Sequence, residues 1–238
     1  MTPRGHHPAL GNTGLTSARV RQRMVERVRE LGVRDPRVLA ALEAVPRHLF
    51  VDPALASRAY DDCSLPLGHG QTISQPYIVA RSAELAIAGM RTPRTARVLE
   101  VGTGGGYAAA VFAQLFGEVY SIERVRALHE RARRNLRPLR LATLRLAFGD
   151  GNEGLPGDAP FDAIIAAAAG AQMPPAWAQQ LAPGGVVVAP VGEGQQQLSV
   201  LAQDAQGGWV CRAVEPVHFV PLLGGTSSGI DGRGVNVA

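Results

Sequence analysis

The chain has 238 residues, 46% hydrophobic and 18% charged, so it can bury a full core in one domain and is not mainly disordered. Its 24 basic residues, all arginine, exceed the 20 acidic ones to give a formal net charge of +4; this arginine usage is typical of GC-rich genomes, so charge alone does not favour a nucleic-acid-binding protein. The longest nearly apolar run, residues 161–173, is too short for a membrane span of about 20 residues, and two cysteines are too few for a disulfide framework or a zinc site.

The two ends of the chain differ from its middle. The first residues are rich in proline, glycine and histidine without periodicity, and the last are rich in glycine. We therefore predict a flexible leader over 1–15, a single domain over 16–223 and a flexible tail over 224–238. No apolar stretch follows the first basic residues, so we expect no signal peptide and a cytoplasmic protein.

The sequence pattern of the N-terminal third of the domain predicts helices. Apolar residues recur at helical spacing over 18–31, with Thr16 or Ser17 as the cap. A second helix is predicted over 35–44, because it opens with the Asp-Pro pair that is typical of a helix start. Residues 50–72 predict loop and short turns.

Beyond residue 90, short apolar strands alternate with helices. Strands are predicted over 96–101, 119–122, 142–148, 163–167, 186–191, 198–203 and 209–217, and helices over 108–115, 125–136 and 174–181. This alternation predicts an α/β fold, a mostly parallel doubly wound sheet of Rossmann-like type that follows extra N-terminal helices. The last two strands form a hairpin, which adds antiparallel strands at one edge.

A glycine-rich loop, residues 102–106 (Gly-Thr-Gly-Gly-Gly), separates the first predicted strand from the next helix. Glycines let the backbone turn tightly and let a ligand approach. Glu100, Glu123 and Asp150 lie at or just after the ends of consecutive strands, at the sheet edge where α/β folds bind ligands. Glu123 is placed to accept from ribose hydroxyls and Asp150 from an adenine amino group, although each acid alone is also compatible with a surface turn.

This combination resembles the class I S-adenosylmethionine-dependent methyltransferases. Their cofactor carries an adenine, a ribose and a methionine but no phosphate, which fits a loop surrounded by acids and free of arginine. The resemblance implies S-adenosyl-L-methionine as the cofactor. The implied cofactor-binding residues are Thr72, Ile73, Glu100, Gly102, Thr103, Gly104, Gly106, Glu123, Arg124, Gly149, Asp150 and Gly151.

A second motif, residues 72–76 (Thr-Ile-Ser-Gln-Pro), precedes an apolar helix upstream of the loop. Taken alone, Ser74 is a helix cap and Pro76 a first-turn proline. Together with the glycine loop, the motif is similar to the protein-L-isoaspartate (D-aspartate) O-methyltransferase family. The resemblance covers residues 18–223, and further matching segments are 47–51, 60–62, 65–68, 161–165, 181–185 and 219–222.

The resemblance implies methyl esterification of the free carboxylate of L-isoaspartyl residues in damaged proteins and peptides, which starts repair through a succinimide. It leaves the acceptance of D-aspartyl residues open. It implies that Ser74 is catalytic and contacts the substrate carboxylate. The implied substrate-binding residues are Leu65, Pro66, Ile73, Ser74, Val220, Pro221 and Leu222. The family also exchanges the last two strands of its sheet relative to other class I methyltransferases, which would bring the terminal segment over the site.

Three other functions remain open. The arginine-rich stretch 124–145 is compatible with a nucleic-acid methyltransferase, although the sequence lacks an Asn-Pro-Pro-aromatic motif after the fourth strand. A binding module on a degraded methyltransferase fold is disfavoured by the intact Ser74, Gly102 and Glu123. A relative that esterifies one dedicated peptide would share every motif. We expect a monomer that binds isoaspartyl proteins, no metal, no membrane and no nucleic acid.

Overall fold

The computed structural model describes residues 14, 17–88, 90 and 92–228. Most of the predicted leader, and the predicted tail from residue 229 onward, lie outside the described residues. Two helices open the domain, α1 (Ala18–Glu30) and α2 (Pro36–Ala44). The Asp35 side chain accepts from the Arg37 amide and caps α2 as predicted, whereas the Ser17 hydroxyl donates to the Gly14 carbonyl and does not cap α1.

The prediction of loop over residues 50–72 was wrong for its second half. Here β1 (Leu65–Gly68) and β2 (Gln71–Ile73) form an antiparallel hairpin that is a sheet of its own. The turn between them has positive φ at His69 (54°) and Gly70 (66°), the geometry of a two-residue hairpin turn. Strands of four and three residues are too short to show a periodicity in sequence.

The main sheet has seven strands in the order β5-β4-β3-β6-β7-β8-β9. Strands β3 to β7 run parallel, and β8 and β9 add antiparallel strands at one edge, which confirms the predicted fold class. Their bounds are Arg97–Val101, Glu118–Glu123, Leu144–Phe148, Phe161–Ala166, Leu181–Val191, Gln196–Gln203 and Trp209–Val217. The chain leaves β9 at the outer edge and returns across the sheet, as the exchanged strand order implies.

Helices cover both faces of this sheet. Val98 belongs to the core shared with α1, α2, α3 (Pro76–Ile87), α4 (Tyr107–Leu115) and α5 (Arg126–Leu136). Its neighbour Leu99 belongs to the second core, around Trp177 of α6 (Pro175–Gln179). Successive residues of a strand point to opposite faces, so one strand serves two cores. Within the described part of the chain, no helix is long and apolar enough to cross a membrane.

One predicted turn is absent. The segment 183–185 (Pro-Gly-Gly) was expected to separate a helix from a strand that starts at residue 186. In the structure β7 already begins at Leu181, and the segment is an irregularity inside it, with Gly184 at φ 76° and a register shift against β6. The glycines are accommodated by a bulge because β6 continues to pair beyond them.

Candidate active site

The carboxyl ends of β3, β4 and β6 face a cavity that the hairpin and the segment after β9 close from above. The glycine loop forms its floor. Nine predicted cofactor-binding residues line this cavity: Thr72, Ile73, Glu100, Gly102, Thr103, Gly104, Glu123, Arg124 and Gly151. Among the predicted substrate-binding residues, Ile73, Ser74, Val220, Pro221 and Leu222 line it as well. The structure thus brings two distant stretches of sequence to one site.

Five predicted site residues do not line the cavity. Leu65 is buried in the core below the hairpin, and Pro66 is exposed on the hairpin's outer side. Gly106 precedes α4 behind the loop, and Gly149 and Asp150 lie beside the cavity wall without reaching it. Sequence reasoning in turn missed Leu67 and Gln71 of the hairpin, since the hairpin itself was not predicted.

Ser74 lies between β2 and α3, half-buried at the cavity wall. The interpretation of Ser74 as a helix cap was wrong, because α3 begins at Pro76 with Gln75 at the cap position and no side-chain cap bond. Within the part of the chain that the structure describes, the Ser74 hydroxyl makes no hydrogen bond. It is therefore available to a ligand in the cavity.

Glu100 is a buried carboxyl at the end of β3. The Ser121 hydroxyl donates to its Oε2 and also shares a 2.6 Å hydrogen bond with Thr103, whereas Glu100 Oε1 has no partner among the described residues. Burial raises the pKa of Glu100 to about 8, and the negative charge of Glu123 acts in the same direction against the Ser121 hydrogen bond. A buried carboxyl with a free oxygen beside a cavity fits a cationic ligand group, because the positive charge of such a group would lower this pKa and favour the carboxylate.

Glu123 ties the glycine loop to the start of α5. Its Oε2 accepts from the Gly104 amide and its Oε1 from the Val125 amide, each at 2.8 Å. Gly104 has a φ of 55°, which glycine adopts without the strain that a side chain would bring. A carboxylate has about four acceptor positions, so Glu123 retains acceptor capacity toward the cavity. Its position, 5% exposed, suits ligand hydroxyls.

The segment after β9 closes the remaining side. The Leu222 amide donates to the Ala169 carbonyl and the Ala169 amide to the Val220 carbonyl, which holds residues 220–222 against the end of β6. Further on, the Gly225 amide donates to Asp150, and the Arg124 guanidinium donates to the carbonyls of residues 224 and 225. Residues at the start of the predicted tail are thus hydrogen-bonded to the ends of β4 and β5.

Comparison with known proteins agrees with this geometry. The family model described as protein-L-isoaspartate(D-aspartate) O-methyltransferase matches residues 19–227. A Burkholderia mallei protein-L-isoaspartate O-methyltransferase is 58% identical over 217 residues, which cover 90% of this chain and 66% of that protein. The matched part of the chain therefore spans slightly less than two thirds of this relative's length.

Two solved structures share the fold. A protein-L-isoaspartate O-methyltransferase superposes with a TM-score of 0.76 at 28% identity, covering 87% of this chain and 67% of the other. A Plasmodium falciparum protein of the same description, solved with S-adenosyl-L-homocysteine, gives a TM-score of 0.74 at 22% identity over 85% of this chain and 98% of the other. With the match over residues 19–227, the chain belongs to the protein-L-isoaspartate(D-aspartate) O-methyltransferase family.

Proposed function

We propose that this protein transfers a methyl group from S-adenosylmethionine to the free carboxylate of L-isoaspartyl residues in damaged proteins and peptides. The observation that carries the proposal is the single cavity that joins Ser74 to the glycine loop, Glu100 and Glu123. Family membership supports the substrate class, and the protein of this family solved with S-adenosyl-L-homocysteine supports the cofactor.

The residues present fit this cofactor. Glu100 has an unpartnered oxygen for the ammonium of the methionine part, and Glu123 has free acceptor positions for the ribose hydroxyls. The glycine loop contributes no cation, which suits a ligand without phosphate. When bound, S-adenosylmethionine supplies a methyl group that its sulfonium already activates.

The chain's own residues have a limited task in this chemistry. A carboxylate with a pKa near 4 is ionised at neutral pH, so no strong general base is needed. The Ser74 hydroxyl can donate to one carboxylate oxygen and so orient the other. Unlike an arginine, a hydroxyl does this without neutralising the charge of the carboxylate. Orientation of this kind contributes up to roughly 7–11 kcal/mol in favourable systems. Residues 220–222 and the hairpin line the same cavity and can shield the reacting groups from water.

The product ester then has a defined chemical fate. An isoaspartyl methyl ester closes to a succinimide by attack of the neighbouring amide nitrogen on the ester carbonyl, with loss of methanol. Hydrolysis of the succinimide returns a fraction of normal aspartyl linkages. The proposal therefore places the protein at the start of a repair cycle. We propose the cytoplasm as its compartment, which agrees with two free cysteines, Cys63 and Cys211.

The test is methyl transfer from labelled S-adenosylmethionine to two peptides of one sequence that differ only in an isoaspartyl or aspartyl linkage. We expect base-labile label on the isoaspartyl peptide alone. Equal labelling of both peptides, or of neither while the protein binds the cofactor, would refute the proposed substrate. A third arm with RNA tests the nucleic-acid alternative directly.

A further inference from the structure

The β1–β2 hairpin carries residues 71–74 into the cavity, yet it is not part of the main sheet. Its register is irregular: Pro66 pairs with Thr72 and Gly68 with Gln71, which leaves Leu67 as an extra residue without a partner in the ladder. Bulges of this kind often lie next to active sites, where they redirect the chain. The backbone of Leu67 therefore needs a partner from outside the hairpin.

That partner is Arg131 on α5. Its Nη1 atom donates to the Leu67 carbonyl oxygen at 2.8 Å across a sequence distance of 64 residues. Arg131 is half-buried, whereas Arg134 on the same helix is exposed. In the described structure, Arg131 has no carboxylate partner, so this hydrogen bond to the hairpin is its one polar contact.

The same helix also holds the glycine loop. Asn135 Nδ2 donates to the Gly105 carbonyl at 2.9 Å. Leu136 packs so closely behind the loop that a Cβ on Gly106 would lie 2.9 Å from its Cδ1 atom. One face of α5 therefore contacts both the floor of the cavity and, through Arg131, the hairpin above it.

The gap between hairpin and loop is narrow. The Leu67 side chain lies 3.3 Å from the position that a Cβ on Gly104 would take, and 3.4 Å from that on Gly105. A shift of the bulge would thus change the height of β2 and of Ser74 above the loop. A guanidinium donates strongly to a carbonyl and fixes direction as well as distance.

We propose that Arg131 is a positioning residue that sets the placement of Ser74 over the cofactor site through the Leu67 carbonyl. The inference rests on the proposed function. Its consequence is that loss of the Arg131 contact should impair the alignment of the reacting groups far more than cofactor affinity, because Glu100 and Glu123, the proposed partners of the cofactor, do not contact Arg131. Small misplacements of aligned groups cost rate steeply.

The test compares Arg131→Met, Arg131→Lys and the matched control Arg134→Met in the full chain, with isoaspartyl peptide as substrate. We expect Arg131→Met to lower kcat on the order of 10-fold. Its Kd for S-adenosylmethionine should stay within about twofold of the wild-type value. Arg131→Lys, which keeps one donor, should recover part of kcat. Arg134→Met should match the wild type.

The outcomes separate the two proposals. A wild-type protein that does not methylate the isoaspartyl peptide would refute the proposed function and this inference with it. An active wild type with unchanged kcat in Arg131→Met would overturn the inference alone. So would an Arg131→Met variant that loses cofactor affinity in proportion to kcat, or an Arg131→Lys variant that loses as much as Arg131→Met, since either result indicates a general role of α5 in folding.

Discussion

The floor and the roof of the cavity are built from different kinds of structure. The floor consists of the glycine loop and the ends of β3 and β4, and Val98, Leu99 and Val101 of β3 are buried in the two cores. The roof consists of the short β1–β2 hairpin, which packs on one of these cores, and of residues 220–227. Hydrogen bonds join the hairpin to α5, and residues 220–227 to Ala169, Asp150 and Arg124. We infer that the floor provides most of the cofactor binding, whereas the roof chiefly places the substrate over the cofactor and contributes less to cofactor affinity. Variants of each should therefore affect different measured quantities.

The largest effect is expected from Ser74→Ala in the roof. Loss of a hydroxyl that orients the reacting carboxylate should lower kcat on the order of 100-fold, the scale observed when one preorganised donor is removed. The cofactor Kd, measured by calorimetry, should be unchanged because Glu100 and Glu123, the proposed partners of the cofactor, stay in place. A full-rate variant would remove Ser74 from the mechanism, and a weakened Kd would contradict the division between floor and roof.

Glu123→Ala tests the floor. This change removes the acceptor for two backbone amides, those of Gly104 and Val125, together with the proposed ribose contact. We expect cofactor binding to weaken by about 1–3 kcal/mol, which calorimetry measures as a loss of roughly 5- to 150-fold in affinity. Glu118→Gln, at the opposite end of the same strand, serves as the control. Wild-type affinity in Glu123→Ala would refute the ribose assignment.

Glu100, a residue of the floor, should make the stability of the protein depend on pH. Burial raises its pKa from 4.5 to about 8, so between these values the native state binds more protons than the unfolded state. The free energy of unfolding should therefore fall as pH rises from about 4.5 to 8, by at most about 1.4 kcal/mol per pH unit, and level off above. Glu100→Gln should flatten this dependence in denaturant titrations at pH 5.5 and 8. A variant with the wild-type slope would show that another group causes it.

The same division explains what the sequence could predict. The strands, the glycine loop and the acids at the strand ends leave local signals, because burial on both faces dictates apolar runs and tight turns dictate glycine. Within the roof, the motif around Ser74 and residues 220–222 were predicted, and both only through family resemblance. The Arg131–Leu67 contact spans 64 residues and depends on a bulge, so no local pattern could reveal it.

Asp150 is a residue whose position the sequence predicted but whose contacts it did not. Its position after β5 was predicted from spacing, but its carboxylate accepts from the Gly225 amide at 2.5 Å and from the Asn152 amide at 2.9 Å, and it does not line the cavity. The role in adenine binding stays a prediction. The carboxylate of Asp150 is held by Gly225, which lies in the segment that composition alone assigned to the flexible tail.

The smallest expected effect concerns this segment. A chain that ends at residue 228 keeps the hydrogen bonds from Asp150 and Arg124 to residues 224 and 225, and also the backbone pairing of Ser227 with residues 124 and 126. A chain that ends at residue 223 loses all of them. We expect the shorter chain to bind S-adenosylmethionine more weakly by about 1 kcal/mol, or roughly fivefold in Kd, because partly exposed hydrogen bonds contribute about that much. Equal affinity of the two chains would mean that the roof contributes nothing to cofactor binding, whereas a loss as large as that of Glu123→Ala would make the segment a part of the floor.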